Sequence, residues 1–325
     1  MNNNLRVKVF AGICLSLVSC GVWAEEFSVP HGVAHIDWRS EFSSDEQSFL
    51  KRWLAKATHT ASQLAGKFPR AESRIVIERS RRRGSRWPVP WGQTMRSGTE
   101  GVLFQVNTSK SMDEFVGDWT AAHEFSHLFI PYPGQRDIWL SEGFASYYQN
   151  ILMAREGLYS EHTAWQKLYE GFVRAEADRN PTKTLDEVSQ GRRRYNATMR
   201  IYWSGALIFL EADIALRTKT ENRLSLDWVL DQYMQCCRHQ RDNWNGEQLM
   251  ASFDEILSPE LKQESFFTDL YQRYSNSLSI PDCRPLLAQL GITIEDEQIS
   301  FTDDADLAAL REDFTRARIE PLAIN

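Results

Sequence analysis

The pentapeptide His123-Glu124-Phe125-Ser126-His127 constrains this chain more than any other feature. On a helix, positions i and i+4 lie one turn apart on the same face, so both imidazoles can reach one ion. Glu124 projects beside them, where a carboxylate can take a proton from an attacking water. The pattern requires a helix, and the flanking residues supply one. Ser111 and Glu114 form a capping box, which predicts a helix from Met112 to about Phe129. Phe115, Trp119, Ala122, Ser126 and Phe129 recur at helical spacing as its packed face, and Pro131 and Pro133 end it.

Two histidines on an apolar helix face are, by themselves, more often core residues than ligands. Glu142 changes that balance. Ser141 reads as the N-cap of a second helix running to about Glu156, with Gly157 as its stop. A reversal at Pro133-Gly134 then lets a tight helix–turn–helix return Glu142 to the metal face, across fourteen intervening residues. The expected shell is one zinc ion held by His123, His127 and Glu142, with a fourth position open and Glu124 as general base. A metzincin would need a glycine and a third histidine where this chain has Ile130 and Pro133.

From Trp119 to about Ile292 the chain resembles the catalytic domains of the aminopeptidase N and glycyl aminopeptidase families, both thermolysin-like gluzincins. The matching stretches are HEFSHLFIP, WLSEGFASYY, YWSGALIFLEADIALR and FFTDLYQRYSNSLSIPDCRPLLAQLGI. The resemblance implies a zincin-like α+β fold and zinc peptidase chemistry, with an aminopeptidase as the first expectation. It also implies that Tyr202, in the Tyr-x-x-Gly-Ala pattern, donates a hydrogen bond to the oxyanion. Read without the resemblance, Tyr202 begins an apolar helix, Ile201 to Leu216, in which Gly205 and Ala206 permit close backbone approach. A core tyrosine satisfied locally is the alternative there. The Gly-x-Met-Glu-Asn strand that clamps the substrate amine in aminopeptidase N is missing. The nearest candidate is Gly98-Thr99-Glu100-Gly101, which makes Glu100 and Gly101 the expected substrate-binding residues.

With 325 residues, 42% of them hydrophobic, the chain can bury a sizeable core. A formal charge of −7 argues against nucleic acid as the partner, and the resemblance implies a peptide or protein substrate. Residues 1–24 read as an export signal, with Arg6 and Lys8 ahead of an apolar run from Val9 to Val18 that is too short to span a bilayer. Cleavage after Ala24 would release a periplasmic protein. Leu17-Val18-Ser19-Cys20 instead resembles a bacterial lipobox, which would tether it to a membrane facing the periplasm through Cys20. Of the later cysteines, one of Cys236 and Cys237 is expected to pair with Cys283, unless all three remain free thiols.

The expected organisation is an α/β subdomain over 25–110, a helical zinc catalytic subdomain over 111–292 and a C-terminal tail over 293–325. Strands are predicted at His31–Trp38, Arg74–Glu78 and Gly101–Asn107, and a helix over 44–67. Gly101–Asn107 is the expected edge strand for pairing with substrate backbone. Arg79 to Gly92 reads as a basic, aromatic loop or hairpin, either simply solvated or able to bind an anionic group. Helices are predicted over 160–178, 201–217, 226–238, 246–257, 261–275 and 282–290, and the irregular stretch 180–199 leads into Tyr202. Two other readings remain at this point. One is a zinc endopeptidase or cell-wall peptide hydrolase. The other is a non-catalytic zinc-containing binding module, which would have no chemical need for Glu124 or Tyr202.

Overall fold

Alternating apolar residues build the sheet in a computed structural model that describes residues 25–323 apart from 83, 179 and 239–243. Ala34 and Ile36, Ile75 and Ile77, and Val102, Phe104 and Val106 point to one buried face. The strands are β1 (Glu25–Val29), β2 (Gly32–Trp38), β3 (Glu72–Arg79), β4 (Trp91–Met95) and β5 (Gly101–Val106). Their order is β1-β2-β3-β5-β4, with β2, β3 and β5 parallel and β1 and β4 antiparallel at the two edges. The edge strand beside the helical half is therefore β4, and β5 lies inside the sheet. This corrects the expectation that Gly101–Asn107 would form the edge. Pro88 and Pro90 concealed a strand whose Trp-Gly-Gln-Thr-Met sequence does not alternate.

Helix α1 (Ser44–Ser62) crosses between β2 and β3, and Ser43 with Glu46 forms its capping box. The helix predicted over 112–129 is broken into α2 (Met112–Gly117), α3 (Thr120–Ser126) and a 3-10 turn at His127–Phe129. Asp118 adopts an extended backbone, and its carboxylate accepts the Thr120 N–H at 2.8 Å, so α3 starts afresh. The next helix, α4, spans Ile138–Arg155. Ser141 is thus not an N-cap but a second-turn residue, because Trp139 and Leu140 bury themselves in the helical core. Asp137 precedes α4 and is occupied by the Gly246 N–H and the Tyr271 hydroxyl.

Helices α5 (Glu161–Glu176), α6 (Leu185–Gln190), α7 (Arg192–Tyr195), α8 (Thr198–Lys219), α9 (Leu226–Cys236), α10 (Gly246–Leu261), α11 (Phe266–Ser275) and α12 (Arg284–Ala288) complete the helical half. A hairpin of β6 (Ile292–Glu295) and β7 (Gln298–Phe301) and then α13 (Ala305–Thr315) follow. This C-terminal part docks through the buried Phe314 ring against Trp165 and through Arg318 with Asp227. The cysteine expectation is corrected: Cys236 and Cys237 are disulfide-bonded to each other at the end of α9. Cys283 is a free thiol at the start of α12, and burial, aided by Asp282 and Glu176, pushes it up to about 12. The export signal and Cys20 lie outside the described residues. No described helix is long and apolar enough to cross a membrane.

Two cores result, and the segment that carries the histidines lies between them. Phe125 and Leu128 pack with Trp53, Phe68 and Phe104 under the sheet. Phe129 and Ile130 belong to the helical core of α4, α5 and α8. Within that core α4 and α8 approach until Gly143 meets Gly205 backbone to backbone. A Cβ on Gly205 would strike the Trp139 carbonyl, and one on Gly143 would strike the Gly205 backbone. Helices pack closest where side chains vanish at the contact. Gly205→Ala is expected to cost about 3 kcal/mol by overpacking, seen as a lowered denaturant midpoint with an unchanged slope.

Candidate active site

Residues from three elements converge. Helix α3 and its 3-10 extension bring His123, Glu124 and His127, α4 brings Glu142, and α8 brings Tyr202. His123 Nε2 lies 3.3 Å and His127 Nε2 3.7 Å from Glu142 Oε2. One donor atom from each of the three lies within 4.8 Å of the others. Tightening of the helix at His127 does not separate the two rings, whose centroids are 4.9 Å apart.

The opposite ring nitrogens are fixed. His123 Nδ1 donates to Gln149 Oε1 at 2.8 Å, and His127 Nδ1 donates to Ser141 Oγ at 3.0 Å. Those bonds orient both rings, and in the neutral form that binds a metal they leave each Nε2 free to face an ion beside Glu142. Two imidazoles and one carboxylate, oriented in this way, fit a zinc ion with one position left for substrate or water. Neither supporting residue had been singled out for this role. Gln149 is legible in hindsight, since it lies seven residues after Glu142 on the same face of α4.

Charge at the site follows from burial and proximity. Burial, with the positive charge of His123, lowers the His127 pKa to about 3, so its imidazole stays neutral. For His123 burial also opposes the charged form, but hydrogen bonding to Glu142 and the charges of both glutamates outweigh it and raise its pKa. Glu142 is raised by burial, yet the hydrogen bond from His123 and the nearby imidazoles hold it at about 2. Burial lifts the Glu124 pKa, and the Glu142 charge adds to that effect. A carboxyl raised towards neutrality suits a group that must both take and release a proton.

Strand β4 holds Glu124 in place. Thr94 Oγ1 donates to Glu124 Oε2 at 3.0 Å, and a Cβ on Gly92 would come within 2.6 Å of Glu124 Cγ. Gly92 is therefore the residue that admits the carboxylate beneath the edge strand. The Tyr202 hydroxyl lies beside Glu142, and its ring stacks on His123 at 6.0 Å and 8°. Burial first, and Glu142 next, raise its pKa, so the phenol stays protonated and able to donate. Arg192 Nη1 stands 3.6 Å from Glu142 Oε1. Helix α7, which carries it, lies in the stretch read from sequence only as an irregular connection leading into Tyr202.

Glu100 and Gly101, the residues expected to bind substrate, do not line the cleft around Glu124. Arg70, Arg96 and Arg238 all engage the Glu100 carboxylate. Arg96 also donates to the carbonyls of His127 and Ile130, and Arg238 to that of Leu128. Glu100 thus gathers the cations that satisfy the carbonyl end of the histidine helix. Gly101 is a glycine because a Cβ there would strike the Arg74 backbone across β3.

A glycyl aminopeptidase (M61) family model matches residues 133–208, from just ahead of α4 into α8. An aminopeptidase N family protein from Idiomarina loihiensis is similar with a TM-score of 0.61 and 16% identity, over 84% of this chain and 49% of that one. Native yeast LTA4 hydrolase is similar with a TM-score of 0.51 and 13% identity, over 82% and 42%. No curated protein matches the chain. The chain shares the α+β fold of these two solved structures and spans about half their length. Gln149→Ala or Ser141→Ala is expected to weaken zinc binding about tenfold or more, as loss of a ligand-orienting hydrogen bond does. Competition with a chromophoric chelator measures it, and unchanged affinity in both variants would remove these residues from the site.

Proposed function

We propose that the protein is a zinc-dependent peptidase of aminopeptidase type. The convergence of His123, His127 and Glu142, with Glu124 beside them and the Tyr202 hydroxyl at Glu142, carries this reading. When bound, the ion supplies Lewis-acid polarisation of the scissile carbonyl and makes an attacking water more acidic. Glu124, raised in pKa and gripped by Thr94, accepts the proton of that water. The same carboxyl then returns the proton to the leaving amine. Tyr202 donates to the carbonyl oxygen as negative charge develops there, leaving its ground-state neighbour Glu142. His123 and His127 stay fixed throughout, held from behind by Gln149 and Ser141.

The aminopeptidase mode is supported by the family model over 133–208 and by the aminopeptidase N family protein similar in fold. One observation favours internal cleavage as a second reading. Among the described residues lining the cleft, the only acids besides Glu124 and Glu142 is Asp118, whose carboxylate accepts the Thr120 N–H. A free substrate amine therefore has no uncommitted carboxylate to meet. Export belongs to the same proposal and is supported by the charged and apolar pattern of residues 1–24, with periplasmic release or a Cys20 tether as its two forms.

Glu124→Gln should abolish turnover while the protein still binds one zinc. Tyr202→Phe should lower kcat about a hundredfold with little change in KM, the effect of removing one oxyanion donor. Steady-state kinetics beside zinc analysis of the purified variants reads both, and wild-type activity in Glu124→Gln would refute the mechanism. Digestion of a peptide library with free or acetylated N-termini separates the two modes. Loss of single residues from free termini alone marks an aminopeptidase, whereas internal cuts in acetylated peptides mark an endopeptidase.

A further inference from the structure

The cleft on either side of Glu124 has two chemically different halves. One, of about 390 Å³, is walled by Trp87, Trp91 and Trp119, with His123, Glu124 and Tyr202 at its inner end. Those tryptophans are 52%, 40% and 42% exposed. Large apolar side chains facing solvent are informative when they cluster. Of the eight most exposed ones among the described residues, these three and Tyr132 line the cleft. The other half, of about 820 Å³, runs along β4 towards Met95 and is bordered by Arg39, Arg96 and Arg192. Trp91, Gly92, Glu124 and Tyr202 belong to both halves, so the reacting bond stands between them.

The three arginines differ in what neutralises them. Arg39 pairs with Asp37 and Glu78. Arg96 is occupied by Glu100 and by the carbonyls of His127 and Ile130. Arg192 makes one ion pair among the described residues, at 3.6 Å to Glu142, and its side chain is 31% exposed. On the peptidase reading Glu142 is shared with a dication and cannot also balance Arg192. A guanidinium left in this way beside a substrate cleft matches a carboxylate and repels an ammonium.

Resting on that peptidase reading, we propose that the cleft selects peptides with an acidic side chain before the scissile bond and a large aromatic side chain after it. Direction comes from β4. A peptide added antiparallel to this open edge runs from the Met95 end to the Trp91 end, which puts its acid near Arg192 and its ring among the tryptophans.

The test uses four peptides differing only in the two residues flanking the central bond: Glu-Phe, Gln-Phe, Glu-Ala and Gln-Ala. Each is made both with a free N-terminus at the first of these residues and embedded in a longer acetylated peptide. Wild type is read by kcat/KM, and zinc-loaded Glu124→Gln by Kd from tryptophan fluorescence. Glu over Gln and Phe over Ala should each be favoured about tenfold in the series that is used. Arg192→Ala should collapse the Glu/Gln ratio and keep the Phe/Ala ratio, and Trp119→Ala should do the reverse. Ratios within one variant are independent of its folded fraction. Ratios near one in wild type, or ratios that neither substitution moves, overturn the proposal. Zinc-dependent turnover without the ratios would sink the selectivity alone. Binding ratios on Glu124→Gln without any turnover by wild type would sink the peptidase reading and keep the subsites.

Discussion

The approach of Gly143 to Gly205 is the contact on which the rest of the site depends. Glu142 and Tyr202 come from helices that begin about sixty residues apart in the chain (Ile138 and Thr198), and neither helix is positioned by the histidine segment alone. With a side chain at either glycine, α4 and α8 would separate, since helix axes stand off by the size of the residues between them. Gly143 directly follows Glu142, and Gly205 lies one turn beyond Tyr202. Close approach at the glycines is therefore what brings the phenol beside the carboxylate. Glycine in mid-helix costs up to about 1 kcal/mol in propensity. The burial of α4 and α8 around it, with Trp139, Phe144, Leu207 and Phe209 wholly or almost wholly buried, offsets that cost.

The histidine helix is held by a different principle. It is only seven residues long before it tightens, too short to be stable by propensity. Its hold is tertiary: Phe125 reaches into the sheet core and Phe129 into the helical core. Its carbonyl end meets Arg96 and Arg238 rather than further helix. Those cations would repel one another without Glu100 between them. Glu100, expected from sequence to meet a substrate amine, pairs with the two arginines behind the histidine helix.

What could be read in the sequence is what depends on near neighbours. The Ser111 capping box, the His123–His127 spacing, the Gly157 stop and the α8 helix around Tyr202 each rest on residues within a few positions of one another, and all are present. Glu142 was legible because the turn between the helices is short. The edge strand was not legible, because β4 is a strand only by virtue of its pairing with β5, which nothing in Trp91–Met95 announces. Ser141 was misplaced for a related reason. A serine just ahead of an apolar run fits an N-cap on local rules, and the burial of Trp139 that starts the helix earlier is decided by partners far along the chain. Cysteine pairing failed too, since loop-based reasoning does not consider a bond between neighbours.

The supports of the two imidazoles have a consequence of their own. A carboxylate behind a ligating histidine would orient it and also raise its basicity. Here the partners are an amide oxygen and a hydroxyl, Gln149 and Ser141, which orient without adding charge. With His127 neutral and Glu142 anionic, a dication bound here would keep a net charge of about +1. That residual charge would favour negative charge developing on a substrate oxygen. It would also stabilise the ionised form of Glu124, countering the burial that raises its pKa. Neutral supports and a buried base are thus complementary: the first keep the cation electron-poor, and the second keeps the nearby carboxylate basic enough to take a proton.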